Sequence, residues 1–495
     1  MRIICLLFTL MFQTVCATQC CEKNSTQGRS NNAPWYPSIA AFEHYNSGRS
    51  HVFPKAKFGG DFRGDNNVAI LTSTSSYPSG YNMAYLDANN IFIYGGGYGD
   101  VAGSIGAYVA KINPLSLQPQ WYNQLINTNL NGEWDYPGSM AILKDGFIYV
   151  VYGYRLAKID PQTGQTLQIL TLPTGGGAPQ NTAYNGFNAT EDGTLIMKSL
   201  YRQAGCFIQG PDALLECPDP TDVPPSILVS VNPKTLSVID SITLPAPVAA
   251  RPTIAKHKNR SYVYLVEANT LIRYEVKKGM FLLDQTWKPG TVTLSGQTTP
   301  TSFVIMGDWV VGQTNTLPSA TALSVIAINQ SDASLQFSIQ PFLDDPIPPL
   351  VAQAFSTAAA GGTAAISWAP ASVSADQDNH LIYATDSLPG KIAALRLSKR
   401  GLKVFWKANQ TTTEFTALIG PKNKRVLVGT DIPRPQIPGN NANDYAVWRN
   451  ANTGDEIARS PLLPAMTQGT MIQPYYFGDM FYEGQLGELI KLKPF

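Results

Sequence analysis

The sequence predicts an all-β fold, a β-propeller of about eight four-stranded blades. Three observations predict it: strand-turn-strand phrases recur along the chain, their turns share Asn/Asp-Pro or Gly chemistry, and the composition favours turns over charged helices. Of 495 residues, 41 are Gly and 36 are Pro, while 14% are charged. That balance suits many short strands joined by tight reversals.

The clearest unit runs from Met140 to Leu172. It reads as a strand (Met140 to Leu143), the turn Lys144-Asp145-Gly146, strands Phe147 to Tyr152 and Arg155 to Ile159, the turn Asp160-Pro161-Gln162-Thr163-Gly164, and a strand from Thr166 to Leu172. Four short strands joined by hairpins form one antiparallel sheet. The third-to-fourth hairpin returns at Lys111 to Ser116, Ser230 to Thr235 and Arg449 to Gly454. Proline presets φ in such turns, and Gly164 and Gly454 accept a positive φ that a side chain resists. The first-to-second hairpin returns at Ala84 to Tyr94, Phe187 to Lys198, Thr253 to Glu267, Thr301 to Gly312, Ala371 to Thr385, Thr416 to Thr430 and Met471 to Glu483.

Units accordingly begin near Met83, Tyr136, Tyr184, Arg251, Thr299, Trp368, Phe415 and Thr470. Sheets this small cannot bury both faces alone, and radial packing lets each cover its neighbours. The last unit, Met471 to Lys493, has three strands, so pairing of the two ends is expected, with His51 to Phe58 supplying the missing strand. Two stacked β-sandwiches are the competing architecture. Insertions at Gln203 to Pro225 and Val351 to Ile366 belong on a rim.

At the amino terminus, Arg2 precedes the apolar run Ile3 to Met11, followed by Val15, Cys16 and Ala17. This is a signal-peptide layout with cleavage after Ala17, and it predicts a secreted or extracytoplasmic protein. The expected organisation is a signal peptide over 1–17, a tail over 18–50 and the propeller over 51–495. No later segment reaches the ~20 apolar residues of a membrane helix, so no transmembrane anchor is expected. With a net charge of +1 and no Lys/Arg cluster, the chain has no footprint for nucleic acid or an anionic membrane.

The phrase Leu156-Ala157-Lys158-Ile159-Asp160-Pro161-Gln162-Thr163-Gly164 resembles the repeat of pyrroloquinoline-quinone-type propellers, the quinoprotein alcohol dehydrogenase-like superfamily, which are often eight-bladed. The resemblance implies a docking Trp near the end of each repeat. Here Leu170 and Leu244 stand in that region, and the docking pattern is expected to be largely missing. Adjacent cysteines cover the cofactor in those enzymes, whereas Cys20-Cys21 lies ahead of the first blade. Four cysteines remain after cleavage, and three complete connectivities are open. Cys206 with Cys217 is favoured as a local staple. No CxxC spacing points to zinc.

Propeller chemistry gathers at the axial funnel, where the loops before the inner strands converge. Those loops offer Glu133, Trp134, Asp135, Asn181, Tyr184, Asn185, Arg251, Trp368, Glu414 and Gln468. Glu133 or Asp135 with Asn181 or Asn185 supplies the oxygens that Ca2+ takes. Arg251 suits a carboxylate, and Trp134 or Trp368 suits a flat ring. On the bland reading, the tryptophans pack between blades and the acids are solvated. His44, His51, His257 and His380 lack a short metal-ligand spacing, and no Gly-x-Ser-x-Gly elbow occurs. Sequons stand at Asn24, Asn188, Asn259, Asn329 and Asn409.

Two functions follow from this reading. One is a secreted binding or interaction protein whose central funnel or rim takes a small molecule, glycan or protein. The other is an enzyme, either a quinone-dependent dehydrogenase with pyrroloquinoline quinone or a Ca2+-assisted hydrolase or lactonase.

Overall fold

A computed structural model describes residues 34–96, 105–126, 133–134, 137–202, 223–267, 269–298, 301–316, 322–353, 372–433, 443–467 and 469–495. Eight four-stranded antiparallel sheets follow one another along the chain, and a two-stranded ribbon (Gln297–Thr298 with Asn315–Thr316) is inserted between the fourth and fifth. The innermost strands of blades 1 to 8 are Asn82–Asp87, Pro137–Ile142, Thr182–Ala189, Thr253–His257, Val304–Met306, Ser374–Asp376, Ala417–Ile419 and Gln473–Pro474. Each lies within about six residues of a unit start expected from the repeats.

Burial grades outward within a blade. In blade 2 the strand Ile148–Tyr152 is wholly buried, whereas the outermost strand Thr166–Thr171 is mostly exposed. The fourth-strand turn is fixed by its Asx residue: Asp160 Oδ1 accepts the backbone N–H groups of Gln162 and Thr163 at 2.7 and 3.2 Å. Asn113, Asn232 and Asn450 act in the same way in blades 1, 3 and 7.

The ring closes through the end of the chain, but not with the strand expected. Val68–Thr72 forms the outermost strand of blade 8, with Ile70 opposite Leu492. Within the segment His51 to Phe58, Val52–Phe53 instead runs parallel to the innermost strand of blade 7, Val52 opposite Leu418. The physical reason is position: His51 is held at the hub, about 50 Å or more of extended chain separates it from Val68, and only the later segment reaches the outer edge.

Polar contacts stitch each blade to the next around the axis. Asn82 Nδ2 donates to the Met140 carbonyl at 2.9 Å, and Ser139 Oγ accepts the Phe187 N–H at 3.1 Å. Asn188 Nδ2 donates to Pro252, Thr253 Oγ1 to Phe303, and Ser302 Oγ meets Ser372 Oγ. Ser374 Oγ donates to the Thr416 carbonyl at 2.7 Å, and Phe415 N–H to Thr470 at 2.9 Å. The Tyr475 hydroxyl donates to Ala88 and completes the circle from blade 8 to blade 1.

Tryptophan docking, expected to be largely missing, is present between three pairs of blades. Trp121 Nε1 donates to Pro161, Trp287 Nε1 to Asn329 and Trp406 Nε1 to Ala451, each indole reaching from one blade into a turn of the next. Leu170 and Leu244 mark blades that lack it, and the docking residue is carried by only some of the repeats.

Candidate functional site

Residues 34–50, assigned by the sequence reading to a tail, run through the hub and contribute a compact, buried segment from Trp35 to His51. Their carbonyls meet the inner strands blade by blade. Ala40, Ala41, Ser47, Gly48, Ser50 and His51 accept the N–H groups of Tyr85, Ile142, Ile254, Ile305, Ala375 and Leu418, at 2.7 to 3.1 Å. Blade 3 joins through Ser47 Oγ, which donates to the Ala189 carbonyl at 2.7 Å. An irregular segment can be buried here because the inner strands, which have no further neighbour towards the axis, supply its partners. Trp35 stacks on Phe42 at 4.2 Å between ring centroids.

A charged cluster lies on this segment. Arg251, just before the inner strand of blade 4, donates from Nη1 to Glu43 Oε1 at 2.7 Å and from Nη2 to the Tyr81 hydroxyl. His44 Nε2 stands 2.9 Å from the same Glu43 oxygen. His44 Nδ1 meets His51 Nε2 at 2.7 Å, and His51 Nδ1 meets Ser374 Oγ at 3.1 Å. The Ser374 hydroxyl, which donates to the Thr416 carbonyl, is left to accept from His51 Nδ1, and the close approach of His44 Nε2 to Glu43 lacks hydrogen-bond geometry. Burial raises the Glu43 carboxyl, but the charges of His44 and Arg251 overcome it and hold the group at about 2. Burial presses His44 down to about 4 against the pull of Glu43, and His51 well below its usual value. The serine-histidine-carboxylate order resembles an activated nucleophile only on paper, since Ser374 is fully buried and reaches no solvent.

A second group of acids lies where blades 7 and 8 meet. Glu414 Oε1 accepts from Thr413 Oγ1 at 2.9 Å and Oε2 from the Thr470 N–H at 3.0 Å. Burial, then the charge of Asp444, pushes Glu414 up to about 8; burial pushes Asp444 up to about 7. Phe415, the next residue, packs its ring edge on His44 and His51, so this group adjoins the hub.

The residues nominated from the sequence are dispersed among structural partners. Arg155 grips both oxygens of Glu133, at 2.7 and 3.0 Å. Trp134 is buried with Ala183 and Leu200, with the Arg202 guanidinium over its ring at 5.6 Å. Asn181 Oδ1 accepts from Arg202 Nε at 3.0 Å, and the Tyr184 hydroxyl donates to Pro173 at 2.6 Å. Asn185 Nδ2 donates to Ala249 at 3.0 Å, and the buried amine of Lys198 donates to that same carbonyl. Arg251 does hold a carboxylate, but one from its own chain. Asp135, Trp368, Gln468, Cys206 and Cys217, like Cys20 and Cys21, lie outside the described residues, as does most of both insertions. Sequence reasoning missed Glu43, His44, Arg49 and His51. A signal existed in the run Phe42-Glu43-His44 and Arg49-Ser50-His51, where ionisable groups alternate with aromatic and small residues ahead of the repeats.

Comparison with solved structures places this architecture among eight-bladed propellers. Quinohemoprotein alcohol dehydrogenase from Comamonas testosteroni aligns over 94% of this chain and 81% of its own, with a TM-score of 0.55 and 11% identity. The quinohemoprotein alcohol dehydrogenase ADHIIG from Pseudomonas putida HK5 aligns over 93% and 80%, at 0.53 and 9%. The Dos1 propeller aligns over 86% and 95%, at 0.50 and 10%. At these identities the likeness is one of fold. No family model matches the chain, and no curated protein matches it in sequence.

The hub does not fit the quinone that the resemblance implies. A flat cofactor on the axis needs the volume that Phe42 to His51 fills. The Glu133 oxygens and Asn181 Oδ1 are already bonded to arginines, and among the described residues no group of three or more His, Cys, Asp or Glu is arranged to hold a metal.

Proposed function

We propose that this chain is a secreted binding propeller that recognises a polar ligand, a glycan or a polar segment of another protein, at its outer surface. The observation that carries this reading is the occupied hub: the chain's own residues 40–51 pair with the inner strands there, and Arg251, which a central funnel would offer to a ligand, is bonded to Glu43. Secretion rests on Arg2, the apolar run Ile3 to Met11 and Ala17. Among the described residues, a groove of about 630 Å3 where blades 4 and 5 meet offers the right chemistry. His257, Lys258, Arg260, Glu275, Asp284 and Ser331 line it with donors and acceptors of both charges.

Glycan and peptide arrays probed with the full chain test the reading. A hit that weakens at least tenfold in Lys258→Ala/Arg260→Ala, with unchanged melting, supports it; a hit indifferent to both residues moves recognition elsewhere. Adding Ca2+ and pyrroloquinoline quinone is expected to leave melting unchanged and to give no dye reduction with alcohols or sugars. Turnover in that assay would overturn the proposal in favour of a dehydrogenase.

A further inference from the structure

Arg49, on the hub segment, has none of its surface exposed. Its Nε donates to the Pro252 carbonyl at 3.1 Å. Its Nη1 is 3.9 Å from Glu43 Oε1, beyond hydrogen-bond reach, and among the described residues neither Nη1 nor Nη2 has a hydrogen-bond partner. That oxygen already accepts from Arg251 Nη1 at 2.7 Å and lies 2.9 Å from His44 Nε2. A buried cation with two unused donor nitrogens is costly unless something accepts from them.

The charges of the hub are also unbalanced. Two guanidinium groups, Arg49 and Arg251, face one carboxylate, Glu43. His44 and His51 stay neutral, and Glu483, near Glu43 with both oxygens unpartnered, has its carboxyl pushed up to about 8 by burial and then by Glu43. With Glu483 protonated, as burial favours, one positive charge is left over. Burial, then the neighbouring Arg251, brings Arg49 down to about 9, as an uncompensated cation requires.

We propose that the hub holds a small monovalent inorganic anion, of chloride's size, against Nη1 and Nη2 of Arg49 beside the Glu43–Arg251 ion pair. A single negative charge closes the balance, whereas a phosphate dianion would overshoot it. The surrounding residues are buried, so the anion is captured as the chain folds and exchanges slowly afterwards.

The test refolds the full chain from urea in sodium gluconate, chloride or bromide at equal ionic strength. Chloride and bromide are expected to raise the melting temperature by a few degrees over gluconate, saturably, and Arg49→Met is expected to lose that dependence. Crystals of the wild type refolded in bromide give a readout that does not need the variant to fold: an anomalous peak within 3.5 Å or so of the Arg49 Nη atoms. Melting that is indifferent to halide, a variant that keeps the dependence, or a water in place of the bromide peak would each overturn the proposal.

Discussion

Glu43 Oε1 accepts a hydrogen bond from Arg251 Nη1 at 2.7 Å, joining residues 208 positions apart inside the ring. One partner belongs to the hub segment and the other to the approach to blade 4, so the pair fastens a non-repeating segment to the repeats. Both side chains are nearly solvent-free. Arg251→Met therefore leaves a buried carboxylate short of a partner and is expected to cost about 3–5 kcal/mol in urea unfolding. Glu43→Gln/Arg251→Met, which removes both charges, is expected to recover part of that loss. A single variant within about 0.5 kcal/mol of wild type would show that the pair is not desolvated.

Acid should loosen the hub through its histidines. His44 and His51 face Glu43, Arg49, Arg251 and Ser374, and both have folded values below those of the unfolded chain. The unfolded chain thus binds more protons between pH 6.5 and about 4. Stability from these groups is complete above 6.5 and falls as pH drops towards 4, on the order of 3 kcal/mol for His44. Glu43, held at about 2, adds a further loss below 4.5. Denaturant melts across this range should show the fall, and His44→Gln/His51→Gln should flatten it.

Glu414 works in the opposite direction. Its folded value of about 8 lies above the unfolded 4.5, so its contribution is complete below 4.5 and is lost as pH rises towards 8. Asp444, at about 7, behaves likewise. Between 4.5 and 6.5 these losses oppose the histidine gain, and the wild-type profile alone will not separate them. The difference between Glu414→Gln and wild type will: the variant should gain on wild type steadily from pH 5 to pH 8. A constant difference would mean that Glu414 ionises normally.

The ring was legible in the sequence because its information is local and repeated. Asp160-Pro161 and Asn450 with Gly454 announce the same turn wherever they occur, and a blade is complete within one stretch of chain. The hub was not legible, because Trp35 to His51 has neither strand periodicity nor a copy elsewhere. Its meaning lies in single carbonyl contacts to partners up to several hundred residues away, such as His51 with Leu418. His44 and His51 show the limit of spacing arguments: seven residues apart suggested no joint site, yet tight bends at Tyr45 and Arg49, both with positive φ, bring their rings together. Glu133 and Asn181 were rightly placed in loops, but their neighbours Arg155 and Arg202 could not be paired with them from the sequence.

Tryptophan docking gives a prediction about glycine. Gly454 has φ +82°, and a Cβ there would stand 2.7 Å from Trp406 Cε3 of the preceding blade. Gly193 has φ +90°, but the nearest atom to its Cβ would be Pro233 Cγ at 4.0 Å. Gly193→Ala therefore carries only the backbone term, about 1–2 kcal/mol, while Gly454→Ala adds displacement of a packed indole, for a total of about 2–4 kcal/mol. Thermal melts of the two variants should rank in that order. Trp406→Leu makes room for the methyl group, so its combination with Gly454→Ala should cost less than the sum of the two single changes. Strict additivity would mean that the indole does not rest on the glycine, and that this docking contact does not hold blades 6 and 7 together.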